Sequence, residues 1–267
     1  MTSLELEARL DNLLATAQEE TKDVDLFAPV PEREECPICL IPLPLTERQV
    51  VFMRCCGKCI CAGCRYKQSM TDKDKKGANH SLKDSKCPFC QQKDKNNAIK
   101  SLRKLMKKKN PRAFIEMARY YHLGDMGLIQ SNTRALEMYI CAAELGHAEA
   151  FVNIGCRYEE GTVVEQNLSK TLEYYEVAAK KGSLSAHRFL LMFHGTNGDI
   201  QTSIRHIKVA ASAGDQESMD DLMKTYKGKL ISKEELTQTL RAFQTSKDLT
   251  KSKDREDIHA LIDQYLY

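Results

Sequence analysis

The sequence lacks the features of a membrane-spanning or secreted protein. Its 267 residues include no tryptophan, and no apolar run reaches the roughly 18 residues that a membrane-spanning helix needs. Acidic residues interrupt the leucines of residues 1–30, so the continuous apolar segment of a secretory signal does not form there. We therefore expect an intracellular protein, cytoplasmic or nuclear, with no membrane partner.

Signatures of catalytic sites are missing as well. The sequence has no pair of carboxylates in a catalytic pattern, no glycine-rich nucleotide loop and no Ser-His-Asp order. We therefore expect no catalytic residue and no organic cofactor in this chain.

What the sequence does have is a dense group of cysteines. Nine of the eleven lie between Cys36 and Cys90. They form three C-x2-C pairs, one vicinal pair and one further cysteine: Cys36 and Cys39, Cys61 and Cys64, Cys87 and Cys90, then Cys55 and Cys56, and Cys59. Two residues between cysteines let both sulfur atoms reach one zinc ion from a tight turn. Because four thiolates complete a zinc tetrahedron, eight well-spaced cysteines predict two ions.

We favour zinc over two other uses of these cysteines. A disulfide framework needs an oxidising compartment, and the missing signal does not support one. A thioredoxin-like redox site uses a single C-x-x-C, whereas this chain has several. The apolar residues between Cys36 and Cys90 are also too few for a self-sufficient core, and small domains of this kind usually need a metal or another staple.

The cysteine spacing resembles the RING-type zinc finger of ubiquitin ligases, in its all-cysteine variant. In that family the first and third ligand pairs hold one ion, and the second and fourth hold the other. The resemblance implies one zinc on Cys36, Cys39, Cys61 and Cys64, and a second on Cys55, Cys56, Cys87 and Cys90. Cys59 stays open as an alternative to Cys55. Most RING fingers carry a histidine where this chain has Lys58.

The same resemblance implies a docking surface for a partner. RING fingers perform no covalent chemistry but hold a ubiquitin-conjugating enzyme in a reactive pose, which is catalysis by positioning. The docking residues of the family fall on Ile38 and Pro88, although these two can also simply shape the metal turns. Many active members carry Arg or Lys directly after the eighth ligand, where this chain has Gln91. Ligase activity therefore stays open.

A basic stretch follows the cysteines of the middle region. Residues 65–110 contain fifteen Lys or Arg and four Asp, a formal charge of +11. Such a cluster can contact phosphate backbones or act as a nuclear import signal, and it can equally be the solvated face of a helix. The lysines are not interleaved with aromatic residues in a base-stacking pattern, so we do not expect nucleic acid as a partner.

Beyond residue 110 the sequence repeats at intervals of 32 to 37 residues. Pairs of alanines recur, and each pair is followed by a glycine: Ala142-Ala143 and Gly146, Ala178-Ala179 and Gly182, Ala210-Ala211 and Gly214. Such periods are typical of stacked helix-turn-helix units. The alanines let two helices approach closely, and the glycine ends the second helix of each unit with positive φ.

These units resemble Sel-one-like repeats, relatives of the tetratricopeptide class. The second unit carries the pattern best, at Ala150, Ile154-Gly155, Tyr158, Gly161, Tyr174, Ala178-Ala179 and Gly182. We expect helices near 112–123 and 131–145, 148–159 and 168–181, 184–194 and 199–213, and a degenerate pair near 216–226 and 232–245. The resemblance implies a concave binding scaffold without catalytic machinery.

The remaining cysteines and the histidines of the repeats suggest no further site. Cys141 and Cys156 are interpreted as core residues. The histidines share no ligand spacing and are interpreted as surface or packing residues: His122, His147, His187, His194 and His206.

The sequence thus predicts a mainly α protein, in which a small zinc-stapled RING-like α/β module precedes an α-solenoid of helix-turn-helix repeats. The expected segments are an N-terminal helix and linker, the zinc finger, a basic connecting helix, the repeats and a capping helix: 1–30, 31–95, 96–110, 111–246 and 247–267. The N-terminal helix, near 2–20, either packs on its own chain or serves a partner. The last segment is expected to cap the open end of the solenoid.

Two functions from different classes are compatible with this organisation. In the first, the RING recruits a ubiquitin-conjugating enzyme and the repeats hold the protein to be modified. In the alternative, the chain is a non-enzymatic zinc-finger scaffold for protein-protein interaction.

Overall fold

The computed structural model describes residues 3–44, 49–68, 86–91, 98–252 and 255. Two compact units contain these residues: one is made of 1–31 and 114–244, the other of 32–113 and 245–267. The predicted fold class, mainly α with a small strand-containing module, is confirmed. No helix in the described ranges has the length and apolar character needed to cross a lipid bilayer.

The secondary structure elements follow one another as the repeat pattern predicts. In chain order they are α1 (Ser3–Glu20), β1 (Val50–Met53), β2 (Lys58–Cys61), α2 (described part 62–68), α3 (Ala98–Lys107), α4 (Pro111–Leu123), α5 (Asn132–Glu144), α6 (Ala148–Glu160), α7 (Leu168–Lys180), α8 (Leu184–Thr196), α9 (Ile200–Ser212), α10 (Gln216–Lys227) and α11 (Lys233–Thr250). The expected repeat helices are correct to within two residues at each end, except that α11 continues to Thr250.

Local chemistry explains where the repeat helices begin and end. Most begin at a residue whose side-chain oxygen accepts a hydrogen bond from a backbone N–H of the first turn: Ser131, Asn167, Ser183, Asp199 and Asp215. Such a cap is typically worth about 1 kcal/mol. The predicted glycines follow α5, α7 and α9 with φ of 81°, 88° and 101°, in the left-handed region that favours glycine.

Small residues set the spacing of the repeat helices. The six alanines of the repeated pairs are all buried, as predicted. Gly155 of α6 lies against the ring of Tyr175 in α7, and a Cβ at this glycine would be 2.6 Å from Cε1 of that ring. The glycine therefore allows an approach between α6 and α7 that any larger residue would block.

The N-terminal helix packs on the repeats of its own chain. One face of α1 is buried against them through Leu6, Leu10, Leu13, Leu14 and Ala17. The hydroxyl of Tyr174 donates a hydrogen bond of 2.7 Å to the carbonyl of Leu10, and Arg9 pairs with Glu144 at 2.7 Å. The interpretation of α1 as an intramolecular packing element is therefore confirmed.

The last described helix continues further than expected. Helix α11 passes unbroken through the expected boundary at residue 246. The described residues after 245 belong to the unit that holds the cysteines, where Ser246 accepts a hydrogen bond of 2.9 Å from Arg33. The expected final helix falls mostly on 256–267, outside the described residues, so its capping role stays a prediction.

Candidate metal centre

A β-hairpin determines where the middle cysteines lie. Strands β1 and β2 are antiparallel, with Val50 opposite Cys61 and Met53 opposite Lys58. The turn between them holds Cys55 and Cys56 and closes with a hydrogen bond of 2.8 Å from Gly57 N–H to the Met53 carbonyl. Because strands rise about 3.3 Å per residue, Cys56 at the tip and Cys61 at the base lie too far apart to share one ion.

Two turns of the same construction hold the outer pairs. In Cys36-Pro-Ile-Cys39 the next residue, Leu40, donates its N–H to the Cys36 carbonyl at 2.8 Å. In Cys87-Pro-Phe-Cys90 the next residue, Gln91, donates its N–H to the Cys87 carbonyl at 3.0 Å. Both Leu40 and Gln91 have φ of 56°. The chain therefore builds one C-P-x-C turn twice, each time ending in a left-handed residue.

The structure brings the eight predicted cysteines together in two groups of four. One group is Cys36, Cys39, Cys61 and Cys64, and the other is Cys55, Cys56, Cys87 and Cys90; in each, the sulfur atoms lie within 4.8 Å of one another. Two sulfur separations are 3.9 Å, from Cys39 to Cys61, and 3.7 Å, from Cys56 to Cys87. Four sulfurs at about 2.3 Å from a tetrahedral zinc are about 3.8 Å apart. Both groups fit a zinc ion, while ligation itself stays a prediction.

Cys59, the alternative ligand, lies outside both groups. It is buried within β2, where pairing with Phe52 fixes its backbone. Cys55 instead lies in the turn after β1 and is a member of the second group. The geometry thus favours Cys55 over Cys59.

The thiols within each group differ in acidity. Burial tends to raise the pKa of Cys36, but the backbone N–H groups that surround its sulfur outweigh this effect, and the pKa falls to about 7. Backbone N–H groups lower the pKa of Cys87 in the same way. Burial and the neighbouring thiols raise the pKa of Cys55 and Cys64. A central dication would allow these resistant thiols to ionise.

A residue that the sequence did not single out lies against the first group. The guanidinium of Arg255 donates to the Cys39 sulfur at 3.5 Å, and to the carbonyls of Ile41 at 3.1 Å and Pro42 at 2.7 Å. It is only 9% exposed. A buried cation beside a thiolate offsets part of the negative charge of a four-cysteine zinc site. No pattern in the sequence pairs Arg255 with a cysteine 216 positions away.

The residues of the expected docking surface differ in exposure. Ile38 is 43% exposed, Leu40 after it is 69% exposed, and Pro88 is half-buried. Lys58, in the place of the usual histidine, lies with its ammonium 4.3 Å from the ring centre of Phe89. The side chain of Gln91 donates to the Pro88 carbonyl at 3.4 Å.

Outside the two groups, no further set of three or more metal-binding side chains with suitable spacing occurs among the described residues. His187 and His206 are buried and share a hydrogen bond of 3.0 Å between their Nδ1 atoms, so packing is their role here. Cys141 and Cys156 are half-buried rather than fully within the core. Cys156 packs against the core of the repeats beside Tyr175, and Cys141 lies beside Arg9.

Comparison with known proteins identifies the repeats. The Sel1 repeat family matches residues 112–147 and 148–183. Among solved structures, the chain is similar to a Sel1 repeat protein from Oxalobacter formigenes, with 22% identity and a TM-score of 0.47 over 68% of this chain and 72% of that one.

A second solved structure is similar over a smaller share of its length. It is c5321, a protective antigen present in uropathogenic Escherichia coli strains and displaying an SLR fold, with 20% identity and a TM-score of 0.44 over 59% of this chain and 34% of that one. No curated protein matches the chain, and no family match covers the cysteine groups. The match to two successive Sel1 repeats thus extends over residues 112–183.

Proposed function

We propose that the cysteine unit is a zinc-bound, RING-type finger that docks a ubiquitin-conjugating enzyme, while the Sel1 repeats hold the protein to be modified. The observation that carries this proposal is the interleaving of the cysteine groups: the first and third pairs meet, and so do the second and fourth. This arrangement is the one that the RING resemblance implies.

The interleaving has a mechanical consequence for the module. The hairpin of β1 and β2 contributes its tip to one group and its base to the other. Zinc, when bound, supplies folding free energy, and four sulfur ligands leave no open position for a reacting water. The hairpin would then be fixed at both ends, and so would the two C-P-x-C turns. Such rigidity suits a surface that acts by holding a partner in one pose.

Ile38 is the side chain best suited to anchor that partner. It lies within the first C-P-x-C turn, between two cysteines of one group, and it is nearly half exposed. An apolar side chain on a rigid turn can enter a pocket of the partner with little loss of conformational entropy. The exposed Leu40 extends the apolar surface of the same turn.

The repeats supply the second half of the proposal. Sel1 repeats are helical scaffolds for protein interaction. Helix α1 covers part of α5 and α7 through its leucines and through Tyr174. A protein partner would therefore use the helix faces that α1 leaves exposed.

Discharge of ubiquitin from a panel of charged conjugating enzymes tests the proposal. We expect the full-length protein to accelerate discharge with at least one enzyme, and Ile38→Ala to abolish the acceleration while the zinc content stays unchanged. Leu168→Ala is the matched control, since Leu168 is a comparably exposed apolar residue (55%) on the repeats. We expect this variant to retain activity.

The alternative, a non-enzymatic scaffold, has one observation in its favour. Gln91 carries no charge at the position where many active RING fingers contact ubiquitin through Arg or Lys, and its amide is turned back onto Pro88. Failure to accelerate discharge across a broad panel would contradict the ligase proposal and favour the scaffold. If the chain is a scaffold, no conjugating enzyme docks on the finger. Gln91→Arg, which supplies the missing positive charge, should then leave discharge unaccelerated.

A further inference from the structure

Helix α3 carries a one-sided ladder of positive charge. Leu102 and Leu105 are buried, and Leu105 lies next to Gly57 of the hairpin turn. The opposite face carries four exposed basic side chains: Lys100, Arg103, Lys104 and Lys107. Their spacings along the chain are three, one and three residues. At 100° per residue these four fall within one arc of about 100°. Lys108 and Lys109 extend the exposed charge at the end of the helix.

Helix stability does not account for this ladder. Basic residues in the last turn complement the helix dipole, which explains Lys104 and Lys107. Lys100 lies in the first turn of α3, where the dipole disfavours a positive charge, and Arg103 lies near the middle, where the dipole gives it no stabilisation. The first turn has no acidic residue, and no ion pair joins any of the four to an acidic group within the described ranges. Four like charges kept side by side therefore point to an external anion.

We propose that this face of α3 binds the phosphate backbone of double-stranded nucleic acid, independently of base sequence. Neighbouring charges on the ladder are about 5–6 Å apart at Cβ, so flexible lysines can follow a line of phosphates. Protein interfaces are depleted in lysine, whereas nucleic-acid interfaces are strongly basic. Binding of a helix to a membrane surface is strengthened by apolar residues that insert beside the charges, but the leucines of α3 are already buried in the cysteine unit.

The absence of aromatic residues in α3 favours double-stranded over single-stranded nucleic acid. Single strands are held largely by bases that stack on aromatic side chains, and α3 contains none. Lysine acts as a point charge and does not read base edges with the two-pronged geometry of arginine. The sequence showed a basic cluster that could contact phosphates but equally be a solvated helix face. The reason to favour phosphate binding is the exposed, unpaired and one-sided placement of these charges. This inference does not depend on the proposed ligase role.

The test uses the full-length protein and two DNA duplexes of about 20 base pairs with unrelated sequences. Four phosphate contacts predict that log K falls against log salt with a slope of about −3.6, or about 100-fold between 50 and 200 mM. Replacing the four ladder residues with glutamine should remove most of that slope and weaken binding at least 10-fold at the lower salt. The control replaces four exposed lysines of the repeats with glutamine: Lys224, Lys227, Lys229 and Lys233. It changes the net charge equally and should bind like the unmodified protein.

Several results would overturn the inference. One is the absence of DNA binding at low salt, and another is an equal loss of DNA affinity in the ladder variant and the control. A third is an affinity more than about 10-fold higher for one duplex than for the other. The last is tighter binding of polyglutamate or of anionic lipid vesicles than of DNA. Far-UV circular dichroism and thermal midpoints of both variants, which should equal those of the unmodified protein, exclude a folding defect as the cause.

Discussion

The cysteine unit and the repeats bury very different side chains. Six of the eight fully buried apolar residues of the cysteine cluster's core are sulfur-containing, among them Cys36, Cys61 and Cys87. The core of the repeats is instead made of leucine, alanine and tyrosine, with Tyr174 and Phe151 among its largest buried side chains. Sulfur atoms that meet in fours gain stability chiefly by binding a metal, whereas apolar side chains gain it by leaving water. The two units should therefore respond differently to the same perturbation.

Removal of metal should produce the largest difference between them. A structural zinc contributes on the order of 10 kcal/mol to folding, so a strong chelator, or Cys87→Ser, should unfold the cysteine unit. The repeats should stay helical. Hydrogen exchange followed by mass spectrometry would show fast exchange in residues 49–68 and protection in 132–212. Loss of protection in both ranges would contradict this contrast.

A methyl group added at Gly155 should strongly destabilise the repeats and leave metal binding unchanged. In Gly155→Ala the new Cβ would lie 2.6 Å from the Tyr175 ring, which cannot move easily because its hydroxyl donates to Glu159 at 2.8 Å. We expect a loss of about 1–3 kcal/mol in unfolding free energy, measured by chemical denaturation, with two zinc ions retained.

The matched control is Gly195→Ala, in α8. A Cβ there would meet its nearest neighbour, Ser203 Oγ, at 3.4 Å, an ordinary contact. Because alanine favours the helix, this variant should gain up to about 1 kcal/mol. Equal effects of the two substitutions would mean that the close approach at Gly155 has no energetic importance.

Within the cysteine unit, Arg255 should matter to one group and not to the other. Arg255→Ala removes a buried cation from the Cys39 sulfur, and changes of this kind cost roughly 10- to 100-fold in metal affinity. Competition with a chromophoric chelator should show one zinc ion released more readily. The second ion is the internal control, and equal weakening of both ions would argue against a local effect.

Acidification should destabilise the repeats through two buried histidines. Burial lowers the pKa of His187 to about 4 and that of His206 to about 3, the latter helped by the neighbouring His187, His194 and Arg205. Below pH 6.5 these two histidines become protonated in the unfolded chain but stay neutral in the folded chain. Stability should therefore fall as pH falls, by roughly 1 kcal/mol per histidine for each pH unit until the lowered pKa values are reached.

The slope of stability against pH identifies the histidines as its source. His187→Gln should make the slope between pH 6.5 and 5 shallower, whatever it does to stability at pH 7. His122→Gln is the control, because that ring is only half-buried and pairs with Asn132 at 2.9 Å. The same slope in all three proteins would mean that other groups dominate acid sensitivity.

Features that recur in the sequence could be predicted, and features that occur once could not. The intervals of the alanine pairs located the repeat helices, because each helix must bury the same small residues against the next. The cysteine spacing likewise indicated two groups of four. In both cases several residues support the same prediction. A single departure from the family pattern, such as Lys58 in place of a histidine, therefore does not prevent it.

Single residues that act through long-range contacts escaped prediction. Nothing near Arg255 in the sequence indicates that it lies beside Cys39, and the contact exists because the chain after α11 belongs to the cysteine unit. The histidines were interpreted as surface or packing residues, and His187 and His206 are buried. The hydrogen bond between these two depends on the register of α8 and α9. The sequence also left Cys55 and Cys59 as alternatives, because only the position of the hairpin turn separates them.

The zinc content of two double variants, measured by native mass spectrometry, tests the central claim most directly. The unmodified chain should carry two ions. Cys39→Ser with Cys64→Ser disables one interleaved group and should leave one ion, whereas Cys39→Ser with Cys56→Ser damages both groups and should leave none. The reversed pattern would mean that neighbouring pairs share an ion, and fewer than two ions in the unmodified chain would contradict the two-site arrangement itself.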